Sequence, residues 1–387
     1  MLRTAVGHSE DVIVEEAMKE IFSQIHAVLG DVVPRAGILF CTLGCDHRYI
    51  LSSIQTEFPD IELIGCTTDG EISSINSFTE DSIILMVFAS DTIEIHAGMG
   101  KGAGQHGKEA GTDAALSARA GLKNFHDDER FAIVLADPLN AGVSGVDSGI
   151  EEILGQNFPL IGAASAAHSK KMTTFQFYND EVLTDSVVLL LFAGPVVFSC
   201  GIKGGHVPLG GKEVVTSVNK NVLYRIGDKS ALEYFQHYIG NSYNLFMNYC
   251  LAVFEKGREG FYVRSAPACD PDTGSVTLNG IVHEGSQVQI GTVDRDSCID
   301  SCTESVRIAL DGYPCKNPSA VLIFSCAARK IMLGTQVVKE SQRVKEYIGD
   351  IPYCGFYAYG EVGPLSKGSK SLFHGTSFIT LLIGSDE

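Results

Sequence analysis

The chain has 387 residues, 45% of them hydrophobic and 9% aromatic, which excludes a disordered or low-complexity protein and gives room for two domains. With 47 acidic and 29 basic residues the net charge is −18, and no basic patch offsets it, so nucleic acid and anionic membranes are disfavoured as partners. The N-terminus has no apolar h-region. The uncharged stretch 186–202 is split at Gly194-Pro195 and is shorter than the ~20 residues of a membrane helix. It reads as two buried strands. The 11 cysteines are odd in number, and several (Cys41, Cys66, Cys200, Cys326, Cys354) sit in apolar runs. Reduced, structural thiols and a cytoplasmic location are expected.

In chain order, residues 12–29 are predicted as an amphipathic helix with Ser9 as N-cap. Residues 92–99 form a strand, then a glycine-rich turn, then a helix over 108–122. Segments 214–218 and 222–226 read as a hairpin, followed by a helix over 230–239. A second hairpin is expected between 276–283 and 286–293, then a helix over 297–310. Residues 241–250 read as an inter-domain connection between a domain at 1–228 and another at 229–387.

The sequence repeats itself. Residues 81–89 read DSIILMVFA and 185–193 read DSVVLLLFA, with five of nine positions identical. Before them lie ELIGCTTDGE (62–71) and PLIGAASAAHS (159–169), and further upstream AGILFCTLG (36–44) and FAIVLADP (131–138). A more diverged third copy has strands at 320–329, 351–361 and 377–384 and a helix over 334–349. The continuous apolar strands mean that both faces are covered. The expected fold is α/β: mixed sheets with covering helices, built from internal strand–helix–strand–strand repeats.

Gly102-Ala-Gly104-Gln-His-Gly107 matches GxGxxG, but its strand closes a meander, so it reads as a glycine-rich helix start. Gly142-Val-Ser144-Gly145 is no nucleophile elbow, and Ser144 reads as a helix N-cap. Arg329 ends an apolar strand. There it either clamps a carboxylate in a cleft or pairs structurally with an acid such as Glu361. Tyr357, Tyr359 and Glu361 sit at the neighbouring strand end, and Thr67, Asp69 and Glu71 align with them in the first repeat. The second repeat has Ala166-Ala167-His168 there and lacks the acid. Both sets are candidate ligand-binding residues, expected where loops gather beyond strand ends. His206, His283 and His374 stand beside glycines at strand ends, where a ligand can approach.

At Leu63–Glu71, Ala320–Arg329, Gly355–Glu361 and Phe373–Thr376 the sequence resembles the FIST family of intracellular sensory proteins, with FIST N and FIST C regions in the family's order. It departs at Gly205-His206-Val-Pro208, where relatives often have Gly-Trp before a Pro, and it has no Trp. The resemblance implies a small-ligand sensor without catalytic residues that signals non-covalently to a separate partner, such as a histidine kinase. A homodimer is open as its assembly. The ligands implied are an amino acid, compatible with Arg329 and Glu361, or haem that senses nitric oxide, compatible with a histidine, with His206 as candidate axial ligand; His374 is a further candidate ligand-binding residue. The competing class is an acyl-transfer or C–N enzyme using Arg329, Glu361 and a cysteine.

Overall fold

The computed structural model describes residues 1–125, 128–138, 144–168, 173–241, 249–256 and 260–386. Unit 1 comprises β1 (Arg3–Ser9), α1 (Val14–Leu29), β2 (Ala36–Cys41), α2 (His47–Glu57), β3 (Glu62–Thr67), the hairpin β4 (Glu71–Ser73) and β5 (Ser77–Thr79), and β6 (Ile83–Ala89). Unit 2 repeats the order with β7 (Glu94–Lys101), α3 (Gly107–Gly121), β8 (Glu129–Ala136), α4 (Val146–Leu154), β9 (Leu160–Ala164), β10 (Gln176–Tyr178), β11 (Glu181–Leu183) and β12 (Ser186–Ala193). Unit 3 opens with β13 (Val196–Lys203) and is then interrupted by an insertion. The insertion holds β14 (Val207–Asn219), β15 (Val222–Ile226), β16 (Lys229–Ser230), α5 (Ala231–Ile239), β17 (Tyr249–Phe254), β18 (Tyr262–Arg264), β19 (Ala268–Asp270), β20 (Ser275–Thr277) and β21 (Gln287–Thr292). Unit 3 resumes with α6 (Arg295–Gly312), β22 (Ala320–Cys326), α7 (Ala327–Leu333), α8 (Val338–Ile348), β23 (Tyr353–Ala358), β24 (Glu361–Pro364), β25 (Ser371–His374) and β26 (Phe378–Ser385). Among the described residues no helix is long and apolar enough to cross a membrane.

Each unit builds a mixed six-stranded sheet with the same strand order, and each borrows its last two strands from another unit. Sheet 1 runs β1-β6-β2-β3 and ends on the unit 2 hairpin β10-β11. Sheet 2 runs β7-β12-β8-β9 and ends on the unit 3 hairpin β24-β25, while sheet 3 runs β13-β26-β22-β23 and ends on β4-β5 of unit 1. The hairpins thus close the three units into a ring. The parallel pairs are β2/β3, β8/β9 and β22/β23; the repeated segments at 81–89 and 185–193 supply β6 and β12, which lie antiparallel beside β2 and β8. The division at residue 228 therefore crosses sheets 2 and 3.

Both faces of each sheet are covered, as the unbroken apolar runs required. The inner faces of all three share one central core that includes Phe40, Phe88, Phe131, Phe192, Phe324 and Phe356. Phe131 stacks on Phe192 at 4.5 Å between ring centroids, and Phe88 meets Phe192 edge-on at 5.6 Å. Each such ring contributes about 1.5–3 kcal/mol by burial. The outer faces pack under the unit helices in separate clusters.

Several sequence expectations are corrected. Ser9 ends β1 rather than capping α1, whose N-cap is Ile13, because the β1 ladder to β6 runs on through Ser9. Segments 276–283 and 286–293 do not pair with each other; β20 lies between β15 and β19, and β21 between β14 and β17. The helix expected over 334–349 is preceded by α7 and a 3₁₀ turn at Gly334–Gln336. Gly145, with φ +84°, caps α4 in place of Ser144. Most of the connection expected over 241–250 lies outside the described residues.

Candidate functional site

The repeated Gly-Glu motif has a structural role. Glu71 and Glu361 open β4 and β24 and are fully buried. Glu71 Oε2 accepts from Ser82 Oγ at 2.7 Å and Ser82 N at 3.3 Å; Glu361 Oε2 accepts from Ser377 Oγ at 2.6 Å and Ser377 N at 3.1 Å. Burial pushes the carboxyl of Glu71 up to about 7 and that of Glu361 up to about 8. The register shows that unit 2 kept this feature: Glu71 pairs Phe356, Glu361 pairs Ala163, and Gln176 pairs Cys66 in the same place. Gln176 Oε1 accepts from Ser186 N at 3.3 Å. The equivalent of the acid is thus an amide that follows a longer loop, not His168. Contiguous sequence alignment could not see across that loop.

Arg329 is wholly buried. Its guanidinium donates to Glu340 Oε1 from Nε at 2.9 Å and Nη2 at 2.7 Å, to Ser301 Oγ at 3.0 Å and to the Cys298 carbonyl at 2.6 Å. Tyr357 donates to Glu340 Oε2 at 2.6 Å and Ser325 to the same atom at 3.0 Å. Burial opposes the Arg329 charge, and the Glu340 carboxylate overrides that, raising its proton affinity. The paired acid is Glu340, one helix away in sequence, rather than Glu361. Arg329 and Glu361 therefore do not line one open cleft. The cysteines considered as the nucleophile of an acyl-transfer enzyme are free, and burial pushes the thiols of Cys41, Cys66, Cys302 and Cys326 well up, away from a reactive thiolate.

Asp69 and Tyr359 belong to a polar junction of all three units. Lys330 Nζ, only about 10% exposed, lies 2.8 Å from Asp69 Oδ1, 2.9 Å from Glu80 Oε1 and 3.2 Å from His168 Nδ1. The Lys330 hydrogen bond holds the Glu80 carboxyl below its ordinary range. Tyr359 donates to the Ala167 carbonyl at 2.6 Å. Thr67 Oγ1 accepts from Phe175 N at 3.0 Å and ties β3 to the loop before the unit 2 hairpin. These groups sit beyond the strand ends, as expected, yet their charges are spent on one another. The GxGxxG loop is likewise self-satisfied: Gly104 N donates to Asp185 Oδ1 at 2.6 Å.

A groove of about 1390 Å³ opens between unit 3 and the insertion. Two buried imidazoles line it. His206 follows the Gly204-Gly205 turn; Gly205 has φ +73° and passes so close to α6 that a Cβ would stand 2.5 Å from the Ser297 carbonyl. Burial pushes the His206 imidazole down to about 4, so it is neutral at physiological pH. His374 lies in register opposite Glu361 and contacts the Gly363 carbonyl through Nε2 at 2.9 Å. The floor also holds Ser301 and Ser377, the residues gripped from behind by Arg329 and Glu361. Around it stand Arg307, Arg343 and Lys370, with Asp300 and Glu304 of α6. The sequence signalled the histidines through their glycine neighbours, but not the α6 and α8 charges, which reach the groove only once the helices pack.

The molecule is a ring of three α/β units with a polar groove between unit 3 and an inserted sheet. The chain belongs to the FIST family: residues 35–229 match the FIST N domain and residues 231–364 the FIST C domain. FIST domains are in general small-ligand sensory domains of signalling. An uncharacterized protein of Mycobacterium tuberculosis is 22% identical over 99% of this chain and 100% of its own. One of Methanocaldococcus jannaschii is 22% identical over 81% of this chain and 66% of its own. Among solved structures, a cyanuric acid hydrolase of A. caulinodans aligns over 100% of both chains at 9% identity and a TM-score of 0.43.

Proposed function

We propose that the protein is a small-ligand sensor of the cytoplasm whose ligand occupies the groove beside His206, and that it signals non-covalently to a separate partner such as a histidine kinase. The observation that carries this reading is a groove lined by charges of both signs over a floor of serines and two buried imidazoles. Such a lining suits a small zwitterion: a carboxylate meets Arg307 or Arg343, and an ammonium meets Asp300 or Glu304. An amino acid is the ligand class this favours. Arg329 and Glu361 position the site from behind, by fixing the hydroxyls of Ser301 and Ser377.

A second reading, haem sensing nitric oxide, has its own support in His206. Its ring is buried and neutral, and its Nδ1 lacks a hydrogen bond of good geometry. These residues fit the group to that extent: His206 would hold the iron, with Arg307 and Arg343 beside the propionates. Bound haem would supply an iron that coordinates the gas. The test is calorimetric titration with the common amino acids alongside haem titration followed by absorption. An amino acid bound by wild type and lost in Arg343→Ala supports the first reading. A Soret band that shifts in His206→Ala supports the second. Neither signal refutes the groove as the sensory site.

A further inference from the structure

The three units are alike enough in register to show where one of them is hollow. Gly65, Gly162 and Gly355 pair Leu39, Val134 and Ile323 in their sheets, and an added Cβ on any of them would stand 1.9–2.3 Å from that partner's carbonyl oxygen. Two residues on, the equivalent outward-facing positions are Thr67, Ala164 and Tyr357, beside Cys41, Ala136 and Ser325. In unit 3 the Tyr357 ring is fully buried under the helices, and its hydroxyl and that of Ser325 meet on Glu340. In unit 2 both positions are alanine. A cavity of about 320 Å³ lies there, walled by Ala136, Ala164, Val134, Ile150 and Leu160. Its outer end is polar and partly open, lined by Glu255, Tyr262, Arg264 and His283 of the insertion with Asp147 and Lys370.

We propose that this cavity is a second ligand site, adjoining the groove at Tyr262 and Lys370, for a small and mostly apolar molecule of ring size with one polar atom. The missing side chain describes the ligand: the space corresponds to that which a phenol ring fills in unit 3. Apolar walls accept small apolar guests, and this volume lies at the small end of ligand pockets, roughly 300–1000 Å³. The polar outer end orients the guest's hydroxyl toward the insertion.

The probe is p-cresol, the side-chain analogue of tyrosine, with toluene as its apolar counterpart. Titration calorimetry and ligand-observed NMR should show one p-cresol bound per chain. Ala164→Tyr, which supplies the ring covalently, should weaken binding by at least roughly tenfold, equivalent to about 1.4 kcal/mol. If that variant fails to fold, Ala136→Val should weaken p-cresol binding in the same direction. His206→Ala, which alters only the groove, should leave it unchanged. No binding of either probe at millimolar concentration, undiminished binding in a folded Ala164→Tyr or Ala136→Val protein, or loss of binding in His206→Ala would each overturn the site. Toluene binding as tightly as p-cresol would overturn the polar end.

Discussion

Glu71 and Glu361 are carboxyl groups in a setting that unit 2 fills with the neutral amide Gln176, and burial raises both toward neutrality. For an acid whose folded-state value is raised, the unfolded chain ionises first. The stability these two groups contribute is therefore fully present below the ordinary carboxyl range and is lost as pH rises through about 7 and about 8. Glu71→Gln and Glu361→Gln should flatten this decline, measured as denaturation midpoints between acidic and mildly alkaline pH; an unchanged pH dependence would contradict the assignment. Glu340 is the buried partner of a buried guanidinium. Glu340→Ala leaves Arg329 charged and unpaired, and should cost roughly 3–5 kcal/mol in chemical denaturation. It should also loosen Ser301 and so weaken whatever binds in the groove.

The third strand of each unit carries a glycine where its backbone presses on the first strand. A methyl group at Gly65, Gly162 or Gly355 would meet a main-chain oxygen that cannot swing away. Alanine at any of the three should destabilise by about 1–3 kcal/mol, the usual cost of overpacking, with the helices of that unit losing amide-exchange protection first. The loop 102–104 shows the same logic for a motif. Its amides are turned on the carboxylate and carbonyl of Asp185, in the segment leading into β12, rather than on a phosphate. What looks like a nucleotide fingerprint is a clasp between α3 and the last strand of its own unit.

Exchange of hairpins around the ring makes the chain one cooperative body. Residues 1–228 alone would keep β4-β5 without β23 and β13 without β26, leaving exposed strand edges and an open central core. We expect the whole chain to unfold in a single transition, with coincident fluorescence and circular dichroism curves, and a fragment of residues 1–228 to aggregate or remain unfolded. Two separate transitions near a cut at 228 would instead mark independent domains.

The sequence by itself determined the long apolar strands of the three units, the order in which they recur and the α/β class, because long apolar runs and duplicated segments report burial on both faces directly; the short hairpins, β1 and the pairing of the inserted strands β20 and β21 were not legible there. It also pointed to the Gly-Glu ends and to His206, since glycine beside a polar residue at a strand end is a local signal. Only the tertiary structure decided which groups meet. Arg329 found Glu340 because α7 and α8 fold back over β22 and β23, a long-range packing choice that spacing does not encode. Gln176 became the third member of the buried set through a register visible only across sheets. The groove and the hollow in unit 2 exist because an insertion packs against two units at once, and a cavity is a property of surfaces brought together.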